Sequence, residues 1–365
     1  MYIPSDGGYP GGVVEGCSPV STGPLTGIKV VELAGMGPGP HAAMLLADLG
    51  AEVTRIQRPG PSAAGAQVRG RRIVAADLKN LDDLDRVRQL IDEADVLLEG
   101  FRPGVTERLG LGPDECQRRN PALVYTRITG WGQTGPRAQQ AGHDINYVGL
   151  TGLLHAMGPA DRPPSPPLNL VGDYAGGSML AVMGVLAALL ERHTSGRGQV
   201  IDAAIVNGAP LLGHVLWPMH ADGRWSEQRG TNVFDGSAPY YSTYACADGG
   251  YLAVGALEPE FFAEMLRLLE LDADALGPQR ERDGWPAMRR VLAEKFLQHP
   301  RDHWASVFAD SDACVTPVLT IIEAMDDPHL RARNVFVDVD GVSQPGPAPL
   351  FSRTPAARPR PARSD

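Results

Sequence analysis

Cysteine is scarce in this sequence, and the few cysteines are scattered. Only four occur in 365 residues, at Cys17, Cys116, Cys246 and Cys314, and no two of them form a C-x-x-C pair. This spacing argues against a paired-cysteine zinc site and against a disulfide framework. Because thiols stay reduced inside cells, we expect a cytoplasmic protein.

Positive charge is also in short supply. The chain carries 33 lysine and arginine residues against 43 aspartate and glutamate residues, so its formal net charge is -10. Proteins that bind nucleic acids need a clustered positive excess, and we therefore expect no nucleic-acid partner. An anionic ligand would have to be held by a local basic patch.

A signal peptide and a long apolar run are both missing. The N-terminal stretch carries Asp6 and Glu15 and has neither a basic region nor an apolar run, so it predicts a disordered or extended tail over residues 1–23. The longest apolar run, residues 179–190, is far shorter than the roughly 20 residues that span a membrane. It predicts a buried helix in a soluble protein with no membrane partner.

Alternating strand and helix patterns dominate the first two hundred residues. A β-branched run at residues 28–33 (IKVVEL) is followed by a Gly/Pro turn, the helical pattern HAAMLLADLG and a second apolar run, VTRI. This is the pattern of a βαβ unit, which implies a parallel sheet with helices on its faces. Further units follow in RRIVAADL, LDRVRQLIDEA, DVLLEG and PALVYTRITG. The sequence therefore predicts an α/β protein with a large doubly wound, Rossmann-like domain.

The chain is too long for one compact core, so we expect more than one domain. We assign residues 24–205 to the large domain and residues 206–230, which lack a clear period, to a linker. The segment YYSTYACADGGYLAVGA predicts two strands around an Asp-Gly-Gly turn, and two helical patterns follow it. They indicate a smaller α+β domain over residues 231–330. The segment 331–365, rich in Pro and Arg, is expected to run back to the large domain.

The turn after the first strand contains three glycines, Gly35, Gly37 and Gly39, which suggests a dinucleotide site. Two observations argue against it. Pro40 stands where a further glycine belongs, and the next strand ends in Arg-Ile-Gln with no acid for a ribose. A tight strand-to-helix turn is the better interpretation.

Basic side chains cluster near the predicted strand ends between residues 55 and 108. In open α/β sheets, ligands bind at the carboxyl ends of the strands, where arginine forks can hold phosphate groups. Acidic residues are nearly as frequent there, so a solvated surface explains any single residue equally well. The cluster comprises Arg55, Arg58, Arg69, Arg71, Arg72, Lys79, Arg102 and Arg108.

Three titratable residues stand out as candidates for chemistry. His143 precedes a helical pattern in GHDINYVG and has the side chain best suited to proton transfer near neutral pH, although a surface histidine is the more common case. Asp173 begins a long apolar helix, where an acid is usually a cap. On spacing alone the cap is the better interpretation, but Gly176 and Gly177 would permit close approach of a ligand, which makes Asp173 a candidate acid, base or nucleophile. Glu258 precedes a proline at another helix start.

Taken together and in this order, the motifs resemble a known family. They are GPLTGIKVVELAG, GPGPHAAMLLADLGAEV, LEGFRPGVTERLGLG, GWGQTGPRAQQAGHDINYVGLTGLLHA, PPLNLVGDYAGGSMLAVMGVLAALLER and YLAVGALEPEFF. The sequence from residue 24 to the C-terminus is similar to the α-methylacyl-CoA racemases of the class III CoA-transferase superfamily. The resemblance implies a racemase for (R)- and (S)-2-methylacyl-CoA thioesters of branched-chain fatty acid metabolism. It also implies no metal and no cofactor, because CoA is part of the substrate, and an interlocked homodimer with its active site at the subunit interface.

The resemblance also implies roles for individual residues. His143 and Asp173 would be opposed acid and base groups, Asn169 would support Asp173, and Glu258 of the other subunit would hold the imidazole. The backbone N–H of Asp144 would meet the enolate oxygen. The residues expected to bind CoA are Arg55, Ala76, Asp77, Leu78, Lys79, Gly100, Phe101, Arg102, Arg108, Gly142, Asp144, Ile145, Asn146 and Tyr147.

Two alternatives and one open question accompany this interpretation. A class III CoA transferase would use Asp173 as a nucleophile that forms an acyl anhydride, but it needs no base at His143. A non-catalytic CoA-binding protein would have no need of three titratable groups. The racemase requires a raised pKa for Asp173, which a helix N-terminus opposes. Burial and a hydrogen bond from Asn169 to the protonated form would have to outweigh that effect.

Overall fold

The computed structural model describes residues 22–60 and 68–364. The predicted N-terminal tail therefore lies outside the described residues except for Thr22 and Gly23, as does Cys17. The three cysteines that are described are free thiols.

Twelve strands occur in the described ranges. They are β1 Lys29–Leu33, β2 Glu52–Gln57, β3 Arg71–Ala75, β4 Val96–Glu99, β5 Val124–Thr129, β6 Val200–Ala204, β7 Tyr241–Ala245, β8 Tyr251–Gly255, β9 Val315–Val318, β10 Phe336–Val339, β11 Val342–Pro345 and β12 Arg363–Ser364.

The helices of the first part of the chain are α1 Pro38–Asp48, α2 Leu81–Asp92, α3 Val105–Arg108, α4 Pro113–Arg119, α5 Asp144–Leu150, α6 Leu180–Ser195, α7 Ile205–Leu212 and α8 Leu216–Ala221. Those of the second part are α9 Pro259–Leu268, α10 Ala273–Leu276, α11 Trp285–Phe296, α12 Arg301–Phe308, α13 Ile321–Asp326 and α14 Pro328–Ala332. A π-helix, Leu170–Met179, runs directly into α6, and shorter helical turns are Leu154–Ala156, Val233–Ser237 and Arg282–Gly284.

The larger part of the molecule is built on one seven-stranded sheet. Its strand order is β12-β3-β2-β1-β4-β5-β6, and every neighbouring pair is parallel. All four residues of β4 are buried, as expected for a strand covered by helices on both faces. The predicted α/β class and the doubly wound arrangement are confirmed.

The second part of the chain contains a three-stranded antiparallel sheet, β7-β8-β9, covered by α9, α11 and α12. Strands β7 and β8 flank the predicted Asp-Gly-Gly turn. Aromatic side chains fill the core beneath them, and Phe296 lies against Tyr244 and Trp304 at ring-centroid distances of 5.1 and 5.6 Å. This cluster is separate from the cores on the two faces of the parallel sheet.

The stretch 206–230, which we assigned to a linker, is helical in its first part. It contains most of α7 and all of α8, and α7 packs closely against the π-helix. A β-carbon on Gly208 would lie 1.8 Å from the carbonyl oxygen of Gly176, so the two backbones meet where neither residue has a side chain. A glycine-mediated contact between helices produces no hydrophobic period in either sequence.

The helical stretch Leu170–Ser195 is the one segment among the described residues that is long and apolar enough to cross a membrane. Its length is 26 residues, and its best window has a mean hydropathy of 1.5. This is weak evidence, because the core helix of a soluble protein passes the same test. Part of the stretch, α6, packs on β5 and β6 of the sheet.

A buried ion pair ties the C-terminal region to the sheet. Arg69, 2% exposed, donates to Asp48 at 2.5 Å and to the Gln344 side chain and the Pro345 carbonyl at 2.8 and 2.7 Å. Burial raises the pKa of Asp48 although the Arg69 guanidinium lowers it. The pair therefore links α1, the loop before β3 and strand β11.

We expect Arg69→Met to lower the free energy of unfolding by about 3–5 kcal/mol, because it leaves Asp48 buried and unpaired. The double variant Asp48→Leu/Arg69→Met should recover most of the loss. Arg118→Met, which breaks an exposed pair with Glu115, is the control and should change stability by less than about 1 kcal/mol. Urea unfolding measures all three. An Arg69→Met protein as stable as the wild type would contradict this account.

Candidate active site

Most of the predicted CoA-binding segments lie along one edge of the parallel sheet. Residues 76–79 follow β3, and residues 100–102 follow β4. Their strands are parallel, so their carboxyl ends share an edge. The strand order reverses between β1 and β4, which is the position where open α/β sheets form a ligand crevice. Lys79, Arg102 and Arg108 are exposed there.

Arg55 does not fit its predicted role in the same way. Its side chain is 7% exposed and forms an ion pair with Glu32, which also pairs with Arg71 at 2.9 Å. Burial raises the pKa of Glu32, and the two guanidinium groups oppose that effect. Arg55 is thus paired with a buried acid in this structure, and its guanidinium group is not exposed to bind a phosphate. The sequence placed it at a strand end without showing that Glu32 lies beside it on β1.

The loop that carries His143 is held in place by Asn146 and Tyr147 of α5. His143 is the exposed N-cap of α5, and its N–H donates to the Asn146 side chain at 3.0 Å. The Tyr147 hydroxyl donates to the Gly142 carbonyl, and its ring meets Trp131 edge-on at 4.7 Å. The two contacts of Tyr147 hold the chain just before His143 in place, and the His143 side chain is exposed at the end of that segment.

Asp173 lies in the π-helix, a type of helix that is common at functional sites. Its N–H donates to the Asp144 carboxylate at 2.6 Å, which joins the π-helix to the start of α5 next to His143. The Asp173 carboxylate faces the turn before α1, where a β-carbon on Gly37 would lie 3.2 Å from Oδ2. The structure therefore brings His143, Asp173 and the glycine turn together. The sequence interpretation of that turn as merely tight missed its contact with the carboxylate.

The pKa of Asp173 is raised, chiefly by burial and also by the negative charge of Asp144. A positive charge on His143 acts in the opposite direction. Asn169 also lowers the pKa, because its side-chain N–H donates to Oδ2 at 3.4 Å and favours the ionised form. Asn169 thus contacts Asp173 as expected, but in this arrangement it favours the ionised carboxyl rather than the protonated form.

Glu258 is not brought to this group within one chain. It is the exposed N-cap of α9, and its charge acts on Cys314 of the second part of the chain. Among the described residues, no hydrogen bond or ion pair joins Glu258 to His143 or Asp173. In the same ranges there is no group of three or more His, Cys, Asp or Glu side chains that could hold a metal ion.

Comparison with known proteins identifies the family. The model of CoA-transferase family III matches residues 25–363. The chain belongs to CoA-transferase family III. It is 46% identical to α-methylacyl-CoA racemase of Mus musculus over 333 residues, 91% of this chain and 87% of that protein. The Homo sapiens racemase is 44% identical with the same coverages. The expected resemblance to these racemases is confirmed.

Solved structures of the family share this fold. A CAIB/BAIF family protein from Brucella suis matches with a TM-score of 0.79 and 28% identity, over 92% of this chain and 95% of that one. As a member of CoA-transferase family III, this chain thus has the family's α/β architecture over nearly its whole length.

We expect Gly37→Ala to weaken catalysis more than it weakens folding. Gly37 has φ +67°, a strained value for alanine, and the new methyl group would press on the Asp173 carboxylate. Gly39→Ala is the matched control, since its β-carbon would meet nothing within 4 Å. Kinetics and urea unfolding of both variants test this. Equal activity of the two would show that the contact with Asp173 is unimportant.

Proposed function

We propose that this chain is a cofactor-independent racemase that interconverts (R)- and (S)-2-methylacyl-CoA thioesters. The observation that carries the proposal is the hydrogen bond from the Asp173 N–H of the π-helix to the Asp144 carboxylate of α5, which joins a carboxyl of raised pKa to the helix start next to His143. The names of the mouse and human relatives support the choice of substrate.

The reaction requires removal of a weakly acidic proton and its return from the other face. A neutral His143 imidazole takes the proton from C2 as the C–H bond breaks, and the electron pair forms the enolate of the thioester. The protonated carboxyl of Asp173 then delivers its proton to the opposite face of C2. The reverse reaction exchanges the two roles. A raised pKa for Asp173 favours the protonated form that this direction needs.

Substrate CoA is proposed to lie along the carboxyl edge of the sheet. Lys79, Arg102 and Arg108 are exposed there and would meet its phosphate groups. Ala76 is buried, with 1% exposure, so it would contribute main-chain atoms. The net charge of -10 makes these local cations necessary for an anionic substrate.

We also propose that the active form is a homodimer. Four apolar side chains, Met179, Met183, Leu186 and Leu190, repeat at intervals of four, three and four residues and are 55%, 59%, 38% and 75% exposed. Such a stripe on one helix face is typical of a surface covered by a partner. A second chain would also supply the Glu258 that the site lacks within one chain.

The alternative function, a CoA transferase, uses the same carboxyl differently. The family description itself includes CoA transfer. In that reaction Asp173 attacks the thioester carbonyl as a carboxylate, forms an acyl anhydride and releases CoA. A raised pKa of the attacking carboxyl works against this step, and nothing in it employs His143.

We expect the enzyme to incorporate deuterium at C2 of (R)- and (S)-2-methylacyl-CoA in D2O, with loss of optical purity. His143→Ala should abolish exchange for at least one enantiomer, whereas His329→Ala, in exposed α14, should not affect it. Mass spectrometry and chiral analysis measure both quantities. Transfer of CoA to added carboxylic acids without deuterium uptake would establish the transferase instead.

Mixing two inactive variants tests the origin of Glu258. If each site combines His143 of one chain with Glu258 of the other, a dimer of His143→Ala and Glu258→Gln chains contains one intact site. Random reassembly should then restore about a quarter of wild-type activity. Each variant reassembled with itself is the control. Failure of the mixture to exceed the controls would place Glu258 in the site of its own chain or outside the mechanism.

A further inference from the structure

The buried acids of the described residues share one feature, with a single exception. Glu32, Asp48 and Glu99 are each at most 8% exposed, and each forms an ion pair with an arginine. Asp144 is 6% exposed and has no ion pair within the described ranges. Its Oδ1 atom is buried there without a hydrogen-bond partner. Because a buried charge is costly unless it is paired, an unpaired carboxylate calls for a functional explanation.

The other oxygen of Asp144 accepts a hydrogen bond from the π-helix. Oδ2 accepts the N–H of Asp173 at 2.6 Å, and a β-carbon on Gly172 would lie 2.4 Å from the same atom. The carboxylate can reach the π-helix only because residue 172 has no side chain. The sequence thus maintains a close approach between Asp144 and the backbone that carries Asp173.

We propose that Asp144 is a positioning residue of this site, which anchors the main chain of Asp173 and places an uncompensated negative charge beside the Asp173 carboxyl. The proposal rests on the proposed proton-transfer function, which needs Asp173 protonated in one direction of the reaction. An arginine beside Asp144 would cancel the charge, so the lack of such a partner is what makes the carboxylate effective.

Few other groups around Asp173 favour the protonated form of its carboxyl. His143 and Asn169 both favour the ionised carboxyl. Gly37 before α1 and Gly208 of α7, which pack against the π-helix, carry no charge. His41 of α1 also contacts the π-helix, at Tyr174 and Ser178, and burial lowers the pKa of its imidazole, which favours the neutral form. Burial raises the pKa of the Tyr147 hydroxyl, the charge of Asp173 adds to that effect, and Arg102 acts in the opposite direction. Burial and Asp144 are therefore the two influences that favour the protonated form, and only Asp144 can be removed by substitution.

A carboxyl titration by NMR tests the proposal without requiring turnover. The full-length protein is labelled with [4-13C]aspartate, and the Asp173 signal is assigned by its loss in Asp173→Asn. Asp144→Asn keeps an oxygen that can accept the Asp173 N–H but removes the charge. We expect the titration midpoint of Asp173 to move to lower pH in this variant. Asp144→Ser removes the charge in a smaller side chain and should shift the midpoint in the same direction, which covers a failure of the asparagine variant to fold.

The matched control is Asp202→Asn. The Asp202 carboxylate also accepts a backbone N–H, that of Gln133 at 2.9 Å, but it is not among the groups that influence Asp173. The Asp202→Asn variant should leave the titration midpoint of Asp173 unchanged. An unchanged midpoint in folded Asp144→Asn would overturn the proposal, even if the wild type racemises its substrate. A shifted midpoint would support the role of Asp144, and the deuterium experiment decides separately whether the wild type is a racemase.

Discussion

The site depends on how closely the π-helix Leu170–Met179 approaches its neighbours. Asp144 reaches the backbone at Asp173, and α7 meets the same helix where Gly176 and Gly208 face each other. Wider side chains at these contacts would move the helix away from α5 and separate Asp173 from His143. The hydrogen bonds of a π-helix span one residue more than those of an α-helix, so it changes the direction of a side chain while the helix continues into α6. Close packing, rather than a flexible loop, therefore fixes the position of the acidic group.

Charge is handled in two different ways in the same domain. Glu32 and Asp48 lie in the core with arginine partners, so their contribution is to hold β1, β3, α1 and the C-terminal hairpin in place. Asp173 is only half buried, and its backbone N–H binds a second carboxylate, that of Asp144, whose charge is unfavourable for an ionised Asp173. Such an arrangement favours a protonated carboxyl over an ion pair. For a site proposed to deliver a proton to carbon, that is the useful property.

Most of the fold could be predicted from the sequence because its strands and helices have regular periods. The runs IKVVEL, VTRI and DVLLEG became β1, β2 and β4, and the order of the elements was enough to predict a parallel sheet. The position of α7 could not be predicted, since it depends on a close contact between Gly208 and Gly176 of the π-helix, and such a contact leaves no mark in the hydrophobic pattern. For the site, motif resemblance located His143 and Asp173, but the state of Arg55 and the direction of the Asn169 effect depend on which atoms face each other in space. A linear pattern contains no information on a cross-strand partner such as Glu32.

Glu258 lies in the part of the chain whose core is separate from the cores of the parallel sheet. Its helix α9 begins after β8, in a core of aromatic residues that shares no buried cluster with the parallel sheet. If Glu258 orients His143, as we propose, it must approach from outside the large domain of its own chain. The exposed apolar stripe along α6 begins at Met179, the last residue of the π-helix, so a partner that covered the stripe would contact the helix that carries Asp173. Dimerisation and completion of the site would then be one event, and an isolated chain would have its acid in place while its histidine lacked a partner.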